Sequence, residues 1–191
     1  MRPIMRHLMA ATLFTVGTAY ADEITDTIKE ALAAYEKGDT SQAKEDLTYA
    51  LELIKQKKGD TLKNFLPEPL SGWQADAPVV ENMGAAMMGG GTTLRRVYTK
   101  GEGRITIEMV ADSPLVQSIG AILSNPMFAA GRFKRIHRQK AMIEYDAQNR
   151  SGKVTMMINN RIAIGVTGEK VSEADMIAYA EAIDIDGLKK L

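Results

Sequence analysis

The chain has no cysteine among its 191 residues. That excludes disulfide staples, thiol nucleophiles, thiolate zinc sites and covalent haem attachment. Histidine is nearly as scarce, with only His7 and His137. An excess of one charge is missing too, since 24 basic residues face 24 acidic ones. A near-neutral balance argues against nucleic acid or an anionic membrane as the main partner. No apolar run approaches the roughly 20 residues that a membrane-spanning helix needs.

What is present begins with an export-type layout. Arg2, Arg6 and His7 form a short basic start, and Leu8 to Val16 is mostly apolar and uncharged. Ala19-Tyr20-Ala21 then supplies small residues at the two positions that a signal peptidase reads, Ala19 and Ala21. Residues 1–21 are therefore expected to be a signal peptide cleaved after Ala21, with the mature chain opening on Asp22-Glu23. The expected compartment is periplasmic or secreted, with no stable membrane span after cleavage. No cysteine follows the cleavage point to take a lipid. Arg2 and Arg6 leave with the signal, so the mature chain has 22 basic and 24 acidic residues, a formal charge of −2. His137 is then the only imidazole. Export also places the chain where ATP is scarce.

Two periodicities divide the mature chain. Residues 24–58 carry apolar side chains at three- and four-residue steps: Ile28, Leu32 and Tyr35, then Ala43, Leu47, Ala50, Leu51 and Ile54. This predicts two helices. Gly38-Asp39 breaks them apart, and Thr40 or Ser41 is the expected cap of the second. Gly59, Pro67, Pro69 and Gly72 read as a boundary. The expected domains are a helical hairpin over 22–66 and an α+β domain over 67–191.

From Trp73 the period becomes two. Thr92–Lys100 and Arg104–Ala111 alternate around a Gly101-Glu102-Gly103 turn and predict a hairpin. Ser113-Pro114 starts a helix through Leu115, Ile119, Ile122 and Leu123, stopped near Asn125-Pro126. Strands follow at Ala141–Asp146, Lys153–Ile158 and Ile162–Thr167. Val171-Ser172 is the expected cap of a last helix, Glu173–Ala182. The order is a helical hairpin and then ββαβββα, which predicts an antiparallel sheet with helices packed on it, an α+β fold.

Ala31, Tyr35, Gly38-Asp39, Ala43, Leu47 and Ala50-Leu51 combine small residues at close-packing points with a Gly-Asp turn. In this the hairpin resembles a single tetratricopeptide repeat of about 34 residues. No second copy follows, and a lone repeat forms no concave peptide groove. The resemblance implies a hairpin that packs on the next domain or pairs with another chain. Residues 73–191 resemble Mog1/PsbP-like α/β/α proteins in element order, which implies layered architecture and carries no activity.

Four features compete as sites. Met83, Met87 and Met88 lie in the glycine-rich run 82–91. Soft thioethers suit Cu(I), so these three are the alternative expectation of a copper-binding protein. As a plain reading, the same methionines are adaptable apolar filler. The glycines of this run precede a strand, not a helix with an early lysine, so no phosphate loop is expected. Arg132, Lys134, Arg135, His137, Arg138 and Lys140 crowd nine residues. They read as a charged edge strand and turn that block sheet pairing, or as a docking patch for an acidic protein, headgroup or glycan. Leu115 to Phe128 is more apolar than one buried face needs. Glu108, Asp112, Glu144 and Asp146 are the carboxylates available for acid–base work. Glu108, Glu144 and Asp146 fall on polar strand faces, and Asp112-Ser113 reads as a helix cap. No catalytic set converges. The expectation is therefore an exported, non-enzymatic binding or accessory protein of the cell envelope, without cofactor and with a protein partner. Copper binding is second, and a hydrolase-type enzyme is third.

Overall fold

Alternation in the second half of the chain is realised as sheet. The computed structural model describes residues 19–82, 91–124 and 131–191. Helix α1 is Ala19–Glu36 and α2 is Thr40–Lys63. Strands β1 (Gln74–Ala75), β2 (Val79–Asn82), β3 (Thr92–Lys100) and β4 (Gly103–Ala111) precede helix α3 (Pro114–Ser124). Strands β5 (Arg132–Ile136), β6 (Gln139–Asp146), β7 (Ser151–Ile158) and β8 (Ile162–Glu169) follow. Helix α4 (Glu173–Ala182) and the short α5 (Ile185–Leu188) end the chain.

All eight strands form one antiparallel sheet in the order β1-β3-β4-β8-β7-β6-β5, with β2 also paired to β3. The fold is α+β, a helical pair followed by this sheet with helices packed on it. Three strands exceed the ββαβββα order. β1 and β2 are too short to show a period, and β5 is the basic run. That run is the end strand of the sheet, joined only to β6.

The chain divides into two compact units, Met1–Leu53 and Ile54–Leu191. The division falls inside α2, earlier than the Gly/Pro stretch suggests. The helix runs on through Gly59 because that position needs the absence of a side chain more than it needs a turn. A Cβ on Gly59 would collide with the Val80 side chain of β2. Leu62, in the last turn, is fully buried in the core of the second unit.

In that unit the period of two separates the two faces of the sheet. One face presents Leu94, Tyr98, Ile105, Ile107, Met109, Val154, Met156, Ile158, Ile164 and Val166, all fully buried. Helix α4 covers it with Met176, Tyr179 and Ala180. Ser172 caps α4 in a reciprocal box. Its Oγ accepts from Asp175 N at 3.1 Å, and Asp175 Oδ2 accepts from Ser172 N at 3.1 Å. On the other face Val116 of α3 meets Val110 and Ala163, with Ile119 and Met157 beside them.

An aromatic knot closes the first face. The Tyr179 ring lies 5.2 Å from Trp73, edge-on, and 4.5 Å from Tyr98. Tyr98 Oη donates to Pro67 O at 2.8 Å, and Arg96 Nη1 donates to the same carbonyl at 3.1 Å. Leu70 N donates to Tyr179 Oη at 3.3 Å. The proline-bearing stretch after α2 is thus held by side chains rather than by a ladder. Burial pushes the Tyr98 phenol up to about 12 and moves Tyr179 in the same direction.

Candidate functional site

The first unit packs in the opposite sense. Gly38, at φ +84°, makes the turn between α1 and α2, a conformation glycine adopts freely. Asp39, not Thr40 or Ser41, caps α2. Its Oδ1 accepts from Gln42 N at 3.0 Å, and its carbonyl accepts from Ala43 N. A carboxylate one residue earlier fits the first orphan N–H groups better than the hydroxyls that follow it. Tyr49 Oη donates to Glu23 Oε1 at 2.7 Å and ties the two helices together. The hydrogen bond to that carboxylate raises the Tyr49 phenol above its ordinary value.

Small residues occupy the buried positions of this pair: Ala31, Ala43 and Ala50. Most of the large ones lie outside, the exception being Leu53 at the end of the unit, which is buried. Leu32 is 57% exposed, Tyr35 66%, Leu47 49% and Leu51 56%. Ile28, Leu32 and Tyr35 of α1 and Leu47 of α2 wall a groove of about 340 Å³, floored by Ala31 and Ala43. The same residues carry the three- and four-residue spacing seen in the sequence. The alanines let the backbones approach, and the long side chains flank the seam without filling it. A groove built this way exposes an almost wholly apolar lining. It offers no nucleophile and no acid–base pair.

The basic run is distributed rather than convergent. Arg132 and Lys134 point to the α4 side of the sheet, where Arg132 pairs with Glu173 and Lys134 Nζ meets Glu181 Oε1 at 3.0 Å. His137 Nε2 lies 2.6 Å from the Glu181 carbonyl, at the C-terminal end of α4. Lys140 Nζ donates to Leu123 O at 2.6 Å and sits 3.9 Å from the Phe133 ring centre. Of the six, only the side chains of Arg135 and Arg138 make no hydrogen bond or ion pair among the described residues. His137 and Arg138 both have positive φ, 46° and 65°, and form the two-residue β5–β6 turn.

The four carboxylates also separate. Asp112, at φ 52°, is not the cap of α3, because Ser113 Oγ accepts from Leu115 N at 3.3 Å instead. Asp112 is held between Lys58 and Arg161, whose Nη2 is 3.2 Å from Oδ1. Burial, with the Arg161 charge, lowers the Lys58 ammonium. Asp146 accepts from Gln148 N at 2.8 Å and from Asn149 N at 3.1 Å in its turn. Those donors hold its carboxyl below the usual range. Glu108 faces the half-open side of the sheet beside Thr106, Lys153, Thr155 and Thr167, around a depression of about 70 Å³. Glu144, on β6, lies by Arg132 and Glu173.

In α3, Val116 and Leu123 are buried and Ile122 is 39% exposed. Met127 and Phe128 lie outside the described residues, as do Met83, Met87, Met88 and residues 1–18 of the expected signal. Ala19 and Ala21 fall within α1. Among the described residues no three His, Asp or Glu side chains gather as a metal site, and no helix is long and apolar enough to cross a membrane.

The groove residues were legible only as a helical face. Their signal as a site is an excess of large apolar residues over what an alanine seam can bury. The chain matches no family model, no curated protein and no solved structure.

Proposed function

We propose that this protein is an exported, non-enzymatic binding or accessory protein of the cell envelope, and that its partner docks on the helical hairpin. One observation carries the reading: the large apolar side chains of α1 and α2 stand around an open groove while alanines fill the seam. Exposed apolar surface of this kind marks an interaction site. The hairpin's likeness to one repeat of a stacking architecture agrees, because such a unit does not bury its apolar face alone. The export layout of residues 1–21 supplies the compartment.

The test has two steps. The full chain is expressed with its own N-terminus, and the periplasmic form is sequenced by mass spectrometry, with Asp22 expected first. A photo-crosslinking amino acid is then placed at Tyr35 or, for comparison, at Lys100 in the second unit. A discrete adduct from position 35 that disappears with Leu32→Glu supports the reading. Cytoplasmic protein beginning at Met1, or equal adducts from both positions, overturns it.

A further inference from the structure

The hairpin is strongly acidic where the rest of the chain is basic. Residues 22–53 hold nine acidic side chains against Lys29, Lys37 and Lys44, a formal charge of −6. Residues 54–191 hold fifteen acidic and nineteen basic ones, a formal charge of +4. Within the hairpin Asp26 is paired with Lys29, Asp46 accepts from Gln42, and Asp39 serves the cap. Glu30, Glu36 and Glu45 are exposed and make no hydrogen bond or ion pair among the described residues. Of these, Glu36 lies one turn beyond Leu32 and borders the groove, while Glu30 and Glu45 stand two positions from groove residues and face away from it, so the groove belongs to an acidic unit with Glu36 at its rim.

The groove has a length as well as a sign. Ile28 and Tyr35 lie seven positions apart on α1, which is two helical turns, or about 10 Å. That length accepts apolar anchors spaced i, i+3 or i+4, and i+7 on a facing helix. A second copy of the same hairpin would bring −6 against −6, which favours a partner of opposite charge.

From this we infer that the hairpin groove receives a cationic amphipathic helix of a partner protein, with apolar anchors over Leu32 and Leu47 and lysine or arginine near Glu36. The inference rests on the docking reading above and adds the partner's chemistry to it. Apolar burial supplies the attraction, and the net acidity of the hairpin, with Glu36 at the groove's rim, supplies orientation and discrimination.

The mature chain is titrated with a fluorescent peptide of about 18 residues, long enough for helix to form on contact. The probe carries Leu at i, i+3, i+4 and i+7 with Lys elsewhere. A second probe replaces every Lys by Glu, and a third replaces every Leu by Ser. The Leu/Lys peptide is expected to bind at least about tenfold more tightly than either control, with affinity falling as salt rises. Leu32→Glu is expected to weaken it about tenfold or more, and Glu36→Lys about threefold. Thermal unfolding followed by circular dichroism checks that each variant keeps its fold, and Tyr35→Ser serves as a second groove variant. Equal binding of the Leu/Lys and Leu/Glu peptides overturns the cationic partner and leaves the docking groove standing. A dimer in sedimentation that Leu32→Glu dissolves makes a second copy the occupant and overturns the inference in the same way. No peptide binding and no dimer overturns both readings.

Discussion

The two units place their apolar residues in opposite ways. In Ile54–Leu191 many large side chains are fully buried, among them Tyr98, Tyr179, Ile107, Met156 and Met176. In the hairpin the buried residues are mainly alanines, while Leu32, Tyr35, Leu47 and Leu51 are about half exposed or more. Stability scales with apolar area removed from water, at about 25 cal/mol per Å². An alanine seam removes little, so the sheet unit holds its fold from within while the hairpin leaves much of its apolar surface in water. Charge follows the same division, with an acidic hairpin and a basic sheet unit.

The sharpest way to break this comparison is to cut into the sheet unit. Tyr179 touches both Trp73 and Tyr98 and is fully buried. Tyr179→Ala is expected to cost about 3–5 kcal/mol, enough to unfold a marginal domain. Urea unfolding followed by tryptophan fluorescence reads this directly, because the single tryptophan is Trp73. A loss under about 1 kcal/mol would mean that the knot is not part of the core.

A smaller effect is expected where helix meets strand. Gly59→Ala improves helix propensity by about 1 kcal/mol, yet its Cβ would collide with Val80. Overpacking of this kind costs about 1–3 kcal/mol, so the net sign is destabilising. Trimming Val80→Ala in the same chain should return most of the loss, which a double-mutant cycle measures. A stabilised single mutant would show that the contact is soft.

Gly59 also shows where sequence reading stops. Taken locally it marks a boundary, and only Val80, distant in sequence, explains why the helix continues. Strands β3, β4, β6, β7 and β8 were legible because each runs for eight or nine residues, long enough for stretches of alternation to show. Helices α3 and α4 were legible from period and capping. β1 and β2 were not, because two and four residues carry no period. The basic run was legible as an edge strand. That Glu173 and Glu181 of α4 would answer Arg132 and Lys134 was not, since those contacts span more than 40 residues. Ile28, Leu32 and Tyr35 were legible as one face, but only burial tells whether a face is covered.

A change in pH sharpens the comparison from the sheet side. The buried Tyr98 phenol titrates near 12, while an unfolded tyrosine titrates near 10. Above pH 10 the unfolded chain loses that proton first. Stability is therefore fully present below pH 10 and falls as pH rises toward 12. Tyr98→Phe removes this contribution. It should cost about 1 kcal/mol at neutral pH through the lost bond to Pro67 O, and its melting temperature should fall less steeply above pH 10. Parallel slopes for the two proteins would place the Tyr98 ring in contact with solvent.

The smallest expected effect on stability separates the two units most cleanly. Leu32 is 57% exposed and walls the groove without filling the seam. Leu32→Gln removes apolar surface that water already reaches, so the folding cost should stay within about 0.5 kcal/mol. The same change at a fully buried position such as Ile107 would strand an amide in a dry core and cost several times more. Unfolding measured on both variants in parallel gives the contrast as one number. If Leu32→Gln destabilises as strongly as Ile107→Gln, the hairpin's outer face is part of a folded core and no surface is held for a partner. If it leaves stability untouched while the crosslink from position 35 is lost, the exposed leucine serves binding rather than folding.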